Sequence, residues 1–471
     1  MTKIKFGTDG WRAIIAKEYT VDNVARVSVA VAEWVKAHSD KPKIVIGHDC
    51  RFAGELFTET AIKVFVNAGI KVYMTDKGFV STPMVSLVTV NTKSTLGVVI
   101  TASHNPPSYN GYKLKGSFGG PLLPLEVAEI EDLIPESHHL DLETISLSQA
   151  RKDGLIEIVD MERDYINAVN DTFDIDAIKK SGMNLAYDAM YGAGQNVLKR
   201  ILPDLDFLHC ENNPSFNGQA PEPIAKNLTE LSEFIKSNGN IHCALATDGD
   251  ADRIGLYNSK GEFVDSHHII LLLIHYLVKY KGMSGKVVTG FSSTPRIKKM
   301  CAHYGLEHVE VPIGFKYIAG IMADENEDVL LGGEESGGIA IKTHIPERDG
   351  IWIGLTIWEF MAKSGKSLEA LIEEVYEIVG EFAFERSDLH ITNQLKDTII
   401  GKCREKKFNF FGKYKVEAIE DMDGFKYHFD DNRWLMIRPS GTEPVLRTYA
   451  EAPSLKEVRH ILENCRLTIG A

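Results

Sequence analysis

The sequence contains no apolar run long enough to cross a bilayer. The longest one, Ile269–Val278, is interrupted by His275 and falls well short of the ~20 residues that a membrane-spanning helix needs. The first residues, Met1–Phe6, carry positive charge but lack the apolar segment and small-residue cleavage site of a secretory signal. We therefore expect a cytoplasmic protein with no membrane span.

An excess of positive charge is also absent. Lys and Arg together number 52, and Asp and Glu 66, which gives a formal charge of −14. Such a charge repels nucleic acids and anionic membrane surfaces at long range. We expect no nucleic-acid partner, and an anionic substrate would have to be drawn in by a local basic pocket.

Paired cysteines are missing as well. The six cysteines are scattered, with no C-x-x-C pair and no histidine at a spacing suited to zinc. Buried free thiols are therefore expected rather than disulfides or a zinc site.

What the sequence does contain is a weak internal repeat. The 471 residues, 44% of them hydrophobic, suffice for three or four domains. Three times the pattern runs strand, turn, helix, strand, and three times a polar loop follows a later apolar strand, with loops beginning at Thr101, Asp248 and Gly332. Such units favour α/β domains with mixed or parallel sheets that offer their loops to a shared cleft. From about Glu381 the pattern changes to short strands and a closing helix, which predicts a smaller α+β domain. The predicted domains are 1–155, 156–256, 257–378 and 379–471.

The first loop, Thr101–Pro106, follows the apolar strand Leu96–Ile100. It presents Ser103 at the end of a buried strand, with Lys113 ten residues further on. A hydroxyl in that place can carry a phosphoryl group. His104 either orients a serine phosphate or only hydrogen-bonds its own loop.

The second loop places Asp248, Asp250 and Asp252 at alternating positions, with small residues between them. This spacing lets the carboxylate oxygens converge on one hard cation, and Mg²⁺ is expected. The loop differs from that of a calcium-binding helix–loop–helix, because its twelfth position is Ser259 rather than glutamate. A plain acidic turn is the alternative, and Arg253 is either a salt-bridge partner or aimed at a phosphoryl oxygen.

The third and fourth loops suit a phosphorylated sugar. In Gly332–Gly338 the side chains of Glu334 and Ser336 point the same way and can bind vicinal hydroxyls. In Arg438–Pro444 a guanidinium, two hydroxyls and a flexible backbone make a phosphate-binding nest. The alternatives are a glycine-rich surface turn and a plain β-turn.

Several basic residues outside these loops are further candidates. Arg12 lies on a glycine-rich turn, and Lys316 on a turn where it either meets an anionic substrate or is an ordinary exposed lysine. Asp49 and Arg51 alternate after the first strand of the repeat, and we expect them to pin neighbouring turns rather than to act in catalysis.

In order and along essentially the whole chain, the four loops resemble those of the α-D-phosphohexomutases. The resemblance implies a phosphorylated Ser103 and a metal held by Asp248, Asp250 and Asp252 together with Ser103. The remaining residues that it implies are Arg12, His104, Lys113 and Arg253 around the reacting phosphoryl group, Glu334, Ser336 and Lys316 on the sugar, and Arg438, Ser440, Gly441 and Thr442 on the second phosphate.

The implied activity interconverts hexose 1-phosphate and hexose 6-phosphate through a hexose 1,6-bisphosphate. Glucose is the first expectation and mannose the next; a phosphoglucosamine mutase or a sugar-phosphate phosphatase is the alternative. One Mg²⁺ per chain, glucose 1,6-bisphosphate as activator, and a monomer or homodimer are implied with it.

Two positions depart from the family's pattern. Ala251 stands where many members have glycine, and this loop should tolerate alanine. Gly338 stands where many bacterial members have a histidine that can serve as a general base. The base is thereby left open among Lys113, Lys316 and His104.

Overall fold

The strand order of three sheets follows one scheme. The computed structural model describes residues 3–440 and 445–471. In each of these sheets the first strand of the repeat is central and pairs in parallel with the second on one side and the third on the other; an antiparallel strand then pairs with the third. The internal repeat predicted from the sequence is therefore a repeat of sheet topology.

The first domain carries a six-stranded sheet in the order β1-β5-β4-β2-β3-β6. Its central strand Leu96–Ile100 is buried along its whole length, as a strand covered by helices on both faces must be. The elements are β1 Trp11–Ile14, α1 Val21–Ala37, β2 Lys43–His48, α2 Gly54–Asn67, β3 Lys71–Met74, α3 Thr82–Asn91, β4 Leu96–Ile100, β5 Tyr109–Gly116, α4 Pro124–Leu133, α5 Leu147–Lys152 and β6 Ile156–Ile158.

The second domain carries a five-stranded sheet in the order β11-β10-β9-β7-β8. Its elements are α6 Met161–Thr172, α7 Ile175–Lys180, β7 Leu185–Asp188, α8 Val197–Ile201, β8 Asp206–Leu208, short 3₁₀ turns at Phe216–Gly218 and Ala225–Asn227, α9 Thr229–Asn238, β9 Cys243–Thr247, β10 Ile254–Asn258 and β11 Phe263–Val264.

The third domain carries a four-stranded sheet in the order β13-β12-β14-β15. Its long buried helix α13 begins at Gly350, where the Asp349 carboxylate accepts a hydrogen bond from the Trp352 amide at 2.9 Å and caps the helix. The elements are α10 Ser266–His275, which continues as a π-helical turn Tyr276–Tyr280, β12 Lys286–Gly290, α11 Arg296–Tyr304, β13 His308–Val311, α12 Phe315–Met322, β14 Val329–Gly333, β15 Ile339–Ile341, α13 Gly350–Ser364 and α14 Leu368–Val379.

The fourth domain is an antiparallel sheet in the order β16-β22-β21-β20-β19, covered by helices. Its elements are β16 Ala383–His390, α15 Asn393–Arg404, the hairpin strands β17 Phe410–Phe411 and β18 Tyr414–Lys415, β19 Ala418–Glu420, β20 Phe425–Asp430, β21 Arg433–Pro439, β22 Val445–Ala452 and α16 Leu455–Ile469.

The hydrophobic cores divide the molecule unequally. One large cluster runs continuously through the first three domains, from Val45 past Tyr187 to Trp358. The fourth domain has a separate core of its own. It meets the third domain through a small aromatic cluster around Phe291 and Trp434.

The sheets extend beyond two of the predicted domain ends. Ile156–Ile158 pairs with β3 in the first sheet, past the predicted end at 155. Phe263–Val264 pairs with β10 in the second sheet, past the predicted end at 256, so the hairpin Ile254–Val264 belongs to the second domain. All six cysteines are buried and free. In the two described segments, no helix combines the length and apolar character needed to span a membrane.

Candidate active site

Each of the three loops predicted from the repeat follows the third strand of its repeat, although the third loop begins two residues after the predicted Gly332 because β14 extends to Gly333. Strand β4 is followed by Thr101, β9 by Asp248, and β14 by Glu334. Because ligand groups in α/β sheets lie beyond the carboxyl ends of the strands, the repeat brings the three loops to equivalent positions in their domains.

Ser103 lies at the centre of the arrangement. Its side chain is buried, with 1% of its surface exposed, and its Oγ donates a hydrogen bond to Asp248 Oδ2 at 2.7 Å. His104 Nδ1 lies 3.3 Å from the same oxygen. The backbone of Ser103 has φ +52°, an uncommon conformation for a residue other than glycine. The loop Thr101–Pro106, the serine loop, therefore holds the hydroxyl against the loop Asp248–Arg253, the acidic loop. Its backbone is locally strained.

Arg51 and Asp49 hold the serine loop in place. The Arg51 guanidinium donates to backbone carbonyl oxygens of Ser103, Asn105, Pro106 and Tyr109, at 2.7 Å for Asn105. Asp49 accepts from the Thr101 hydroxyl at 2.5 Å and lies 3.2 Å from Arg51 Nε. The expectation that this pair pins neighbouring turns is confirmed.

The three aspartates converge as the spacing predicts. Each is fully buried, and one carboxylate oxygen from each lies within 4.8 Å of the others. Gly249 lets the acidic loop approach the serine loop, because a Cβ there would lie 2.5 Å from the Ser103 carbonyl oxygen. Ala251 adopts φ +59°, so the alanine is accommodated in the left-handed conformation that glycine would take more easily.

The electrostatics of the acidic loop favour a bound divalent cation. Burial and the neighbouring carboxylates of Asp250 and Asp252 raise the pKa of Asp248 well above its ordinary value. Asp250 Oδ1 and Asp252 Oδ1 are buried without a hydrogen-bond partner among the described residues. Carboxylate oxygens in this arrangement are the ligands that Mg²⁺ and Ca²⁺ bind, so the residues present fit a divalent metal ion.

Lys113 is buried next to the aspartates and forms ion pairs with them. Its Nζ lies 2.7 Å from Asp250 Oδ2, 2.8 Å from Asp252 Oδ2 and 2.8 Å from Asp9 Oδ2. Burial alone would lower the pKa of Lys113, but the three carboxylates outweigh it and raise the pKa. The ammonium group is therefore held charged, with its donors directed at carboxylates.

Two residues that the sequence analysis did not single out complete this network. Asp9, on the glycine-rich turn before Arg12, and Arg348 are joined by an ion pair of 2.5 Å, and Arg348 also lies 2.8 Å from Asp252 Oδ2. Next to them, Lys115 and Glu347 form a fully buried ion pair at 2.6 Å. The sequence signals were the glycine-rich turn that carries Asp9 and the run Arg348–Gly350, which by the family resemblance favours glucose phosphate but gives Arg348 no individual role.

Two further cations, Arg12 and Arg253, lie near Ser103 without a tight counter-ion among the described residues. Arg12 donates to Asn105 Oδ1 at 2.8 Å and lies 3.9 Å from Asp9. Arg253 lies 4.0 Å from Glu222, and its Nε is buried with no hydrogen-bond partner in the described parts of the chain. Burial and these guanidinium groups lower the pKa of His104 well below its ordinary value. A phosphoryl group on Ser103 would supply the missing negative charge.

Glu334 and Ser336 lie on the turn that follows β14. Glu334 is buried, its Oε1 accepts from the Gly314 amide at 2.8 Å, and burial raises its pKa. The turn is closed by a hydrogen bond of 3.2 Å from the Gly337 amide to the Glu334 carbonyl. Lys316, half-buried on α12, lines a cavity of about 140 Å³ next to Asp9.

The departure at Gly338 has a structural counterpart. A Cβ on Gly338 would lie 2.5 Å from Cδ of Arg348. Since Arg348 is tied to Asp9 and Asp252, its side chain occupies the space that a histidine at position 338 would need.

The predicted phosphate nest lies on the fourth domain. Arg438 donates to Asp423 at 3.1 and 3.3 Å, and Asp423 in turn accepts from the Ile313 amide of the third domain at 2.9 Å. Ser440 is buried, and its amide donates to the Val445 carbonyl at 2.9 Å. Gly441 and Thr442, predicted for the same nest, lie outside the described residues.

Comparison with known proteins gives four consecutive matches along the chain. They are to the α/β/α domains I, II and III and the C-terminal domain of phosphoglucomutase/phosphomannomutase, over residues 3–140, 163–261, 265–379 and 402–467 respectively.

Whole-chain relatives agree with these matches. A phosphoglucomutase/phosphomannomutase of Thermococcus kodakarensis is 30% identical, over 97% of this chain and 96% of the relative. A probable phosphoglucosamine mutase of Methanothermobacter thermautotrophicus is 29% identical, over 98% and 96%. The crystal structure of a putative phosphomannomutase from Thermus thermophilus superposes with a TM-score of 0.87 at 31% identity and covers 100% of both chains.

Proposed function

Because this chain belongs to the phosphoglucomutase/phosphomannomutase family of α-D-phosphohexomutases, we propose that it interconverts hexose 1-phosphate and hexose 6-phosphate through phospho-Ser103. The single observation that carries the proposal is the buried Ser103 hydroxyl, 2.7 Å from an aspartate of the acidic loop and surrounded by cations without tight counter-ions. A phosphoryl carrier needs such surroundings, since phosphoryl transfer depends mostly on positioning and on charge stabilisation.

The proposed cycle uses one serine twice. Phospho-Ser103 gives its phosphoryl group to the free hydroxyl of a hexose monophosphate; the O–P bond to serine breaks, and a new O–P bond to the sugar forms. The bisphosphate then turns end for end, and its other phosphate returns to Ser103. Arg12, Arg253 and His104 hold the transferring group, while Arg438 and Ser440 on the fourth domain bind the phosphate at the far end.

Asp248, Asp250 and Asp252, together with the serine phosphate, would hold the metal ion. We propose Mg²⁺, one per chain, which when bound offsets negative charge on the phosphoryl oxygens. Lys113 holds Asp250 and Asp252 in place through ion pairs of 2.7 and 2.8 Å. Arg348 forms a further ion pair with Asp252.

The sugar hydroxyl must lose a proton when it accepts the phosphoryl group. Gly338 offers no side chain for this task, and Lys113 directs its donors at three carboxylates. Of the three candidates from the sequence, this leaves His104, whose Nδ1 lies 3.3 Å from Ser103 Oγ, and Lys316 on α12. The choice between them stays a prediction.

Glucose phosphate is the proposed substrate, mannose phosphate the next candidate, and glucose 1,6-bisphosphate the activator. The names of the relatives support a hexose phosphate, and those that are phosphoglucosamine mutases keep the amino sugar as the alternative. The cytoplasmic location, the monomer or homodimer, and the division into four loop-bearing domains stay predictions.

A coupled assay with glucose, mannose and glucosamine 1-phosphates, with and without bisphosphate, tests the proposal. Hexose 6-phosphate should form fastest from glucose 1-phosphate, and added bisphosphate should stimulate it. Stoichiometric release of free phosphate without hexose 6-phosphate would instead identify a phosphatase and overturn the proposal.

A further inference from the structure

Phe216 of the second domain lies against the residue that holds the serine loop of the first. Its ring centroid is 4.9 Å from the guanidinium carbon of Arg51. Only 2% of the Phe216 surface is exposed, and its neighbours include the buried Cys50 and Ala193. The contact is thus a cation–π interaction across a domain boundary, shielded from solvent.

The backbone at Phe216 is unusual. Phe216 has φ +47°, and Asn217, next to it, has φ +53°. For a bulky side chain a positive φ is a genuine outlier, which persists only when the surroundings fix it and which is enriched at functional sites. The uncommon backbone conformation thus occurs at the residue whose ring contacts Arg51.

The edges of the Arg51 guanidinium are already engaged by other groups. Its Nη atoms already donate in the guanidinium plane to the carbonyl oxygens of Ser103, Asn105, Pro106 and Tyr109, and its Nε faces Asp49 at 3.2 Å. With the edges of the group used, its face remains for a further contact, and an aromatic ring is the side chain suited to a guanidinium face.

We propose that Phe216 is a positioning residue for Ser103 that acts through Arg51. The ring fixes the plane of the guanidinium, the guanidinium fixes four carbonyl oxygens of the serine loop, and the loop fixes the hydroxyl. The docking of the second domain, which also carries the acidic loop, thereby sets the geometry of the nucleophile. This inference rests on the proposed function, because it concerns phosphoryl transfer at Ser103.

The experiment compares aromatic and aliphatic side chains at position 216. Phe216→Leu and Phe216→Met keep an apolar side chain but lose the ring, whereas Phe216→Tyr keeps the ring. Phe207→Leu is the matched control, because Phe207 belongs to the same domain and also has a cation near its ring, Lys199 at 6.0 Å, but does not contact the serine loop. The readouts are the rate of phosphate transfer from glucose 1,6-bisphosphate to Ser103, kcat, KM and the melting temperature.

We expect Phe216→Leu and Phe216→Met to slow transfer to Ser103 and kcat about tenfold, with KM changed less than about twofold. Phe216→Tyr should recover most of the rate, and Phe207→Leu should lower the melting temperature without slowing transfer. Either aliphatic variant transferring at the wild-type rate would overturn the inference, as would an equal slowing by Phe207→Leu or by Phe216→Tyr. A wild-type protein that takes no phosphate on Ser103 would overturn the proposed function itself, whatever position 216 does.

Discussion

At the scale of single residues, the Ser103 hydroxyl gains its proposed role from neighbours that are distant in sequence. The carboxylate of Asp248 binds it from 145 positions away, and Arg51 reaches the loop from 52 positions away. Sequence reasoning found the serine and the aspartates because each sits in a compact motif. Asp9 and Arg348, 339 positions apart, form a pair that only the folded chain brings together.

The aspartates make a first prediction possible. Asp250→Asn removes a charged oxygen from the acidic loop, so we expect Mg²⁺ affinity, measured by isothermal titration calorimetry, to fall by about tenfold or more. Asp176→Asn, at an exposed helix position paired with Lys180, is the matched control and should leave the affinity unchanged. Equal affinity in Asp250→Asn and the wild type would contradict the assigned cation site.

Gly338 gives a second prediction at this scale. Gly338→Ala places a methyl group 2.5 Å from Arg348 Cδ, so we expect displacement of Arg348 and a kcat about tenfold lower. In the presence of Arg348→Ala, the same Gly338→Ala change should cost little more, which a double-mutant cycle measures. Gly401→Ala, where the added methyl meets nothing within 4 Å, is the control. Strict additivity of the two changes would show that position 338 acts independently of Arg348.

At the scale of elements, the central strands were predictable because their apolar runs are continuous. Leu96–Ile100, which is buried along its whole length, has the predicted bounds. Strand β16 gives a weak sequence signal, because its stretch Glu385–Asp388 is mostly charged and lies partly exposed instead of in a core. Strand β22, Val445–Ala452, was missed altogether.

Helix α10 carries a buried histidine that should couple stability to pH. His267 is 1% exposed, and its ring nitrogens have no hydrogen-bond partner among the described residues. Burial lowers the pKa of His267 to about 4. The Asp265 carboxylate opposes this shift, and His268 and Lys426 add to it. In the unfolded chain the ordinary value is about 6.5. Between these values the unfolded state binds more protons, so this contribution to stability is present above pH 6.5 and is lost as the pH falls toward 4.

We expect His267→Leu to lose less stability than the wild type between pH 7 and 4, by up to about 3 kcal/mol in the free energy of unfolding. Urea unfolding across this pH range measures the difference. The exposed His303→Gln change should leave the wild-type profile in place. Parallel profiles for His267→Leu and the wild type would show that His267 does not titrate with unfolding.

At the scale of the whole molecule, the order of the first three domains follows from the repeat and that of the fourth from the change of pattern near Glu381, whereas the contacts between domains follow from neither. The sequence shows where each loop begins, because the same elements precede each one. It gives no sign of the cluster that includes Phe291 and Trp434, or of the contacts of Arg386 in the fourth domain with Glu222 and Glu335 at 3.8 and 3.9 Å. Such contacts join residues with no shared local pattern.

The contacts of Arg386 with the second and third domains lead to a prediction about substrate binding. Arg386→Gln removes the ion pair between the fourth domain and Glu335 in the sugar-recognition loop Gly332–Gly338. We expect KM for hexose 1-phosphate to rise about threefold, in keeping with the small energies of partly exposed ion pairs. Arg459→Gln, which breaks the exposed pair with Glu385 in the same domain, should not change KM. An unchanged KM in Arg386→Gln would remove Arg386 from the set of groups that shape the cleft.

The central proposal is that Ser103 carries the phosphoryl group. Peptide mass spectrometry after incubation with glucose 1,6-bisphosphate, together with the turnover of Ser103→Ala, decides it. We predict phosphate on Ser103 and loss of mutase turnover in Ser103→Ala. Phosphate on a different residue, or full turnover by Ser103→Ala, would contradict it.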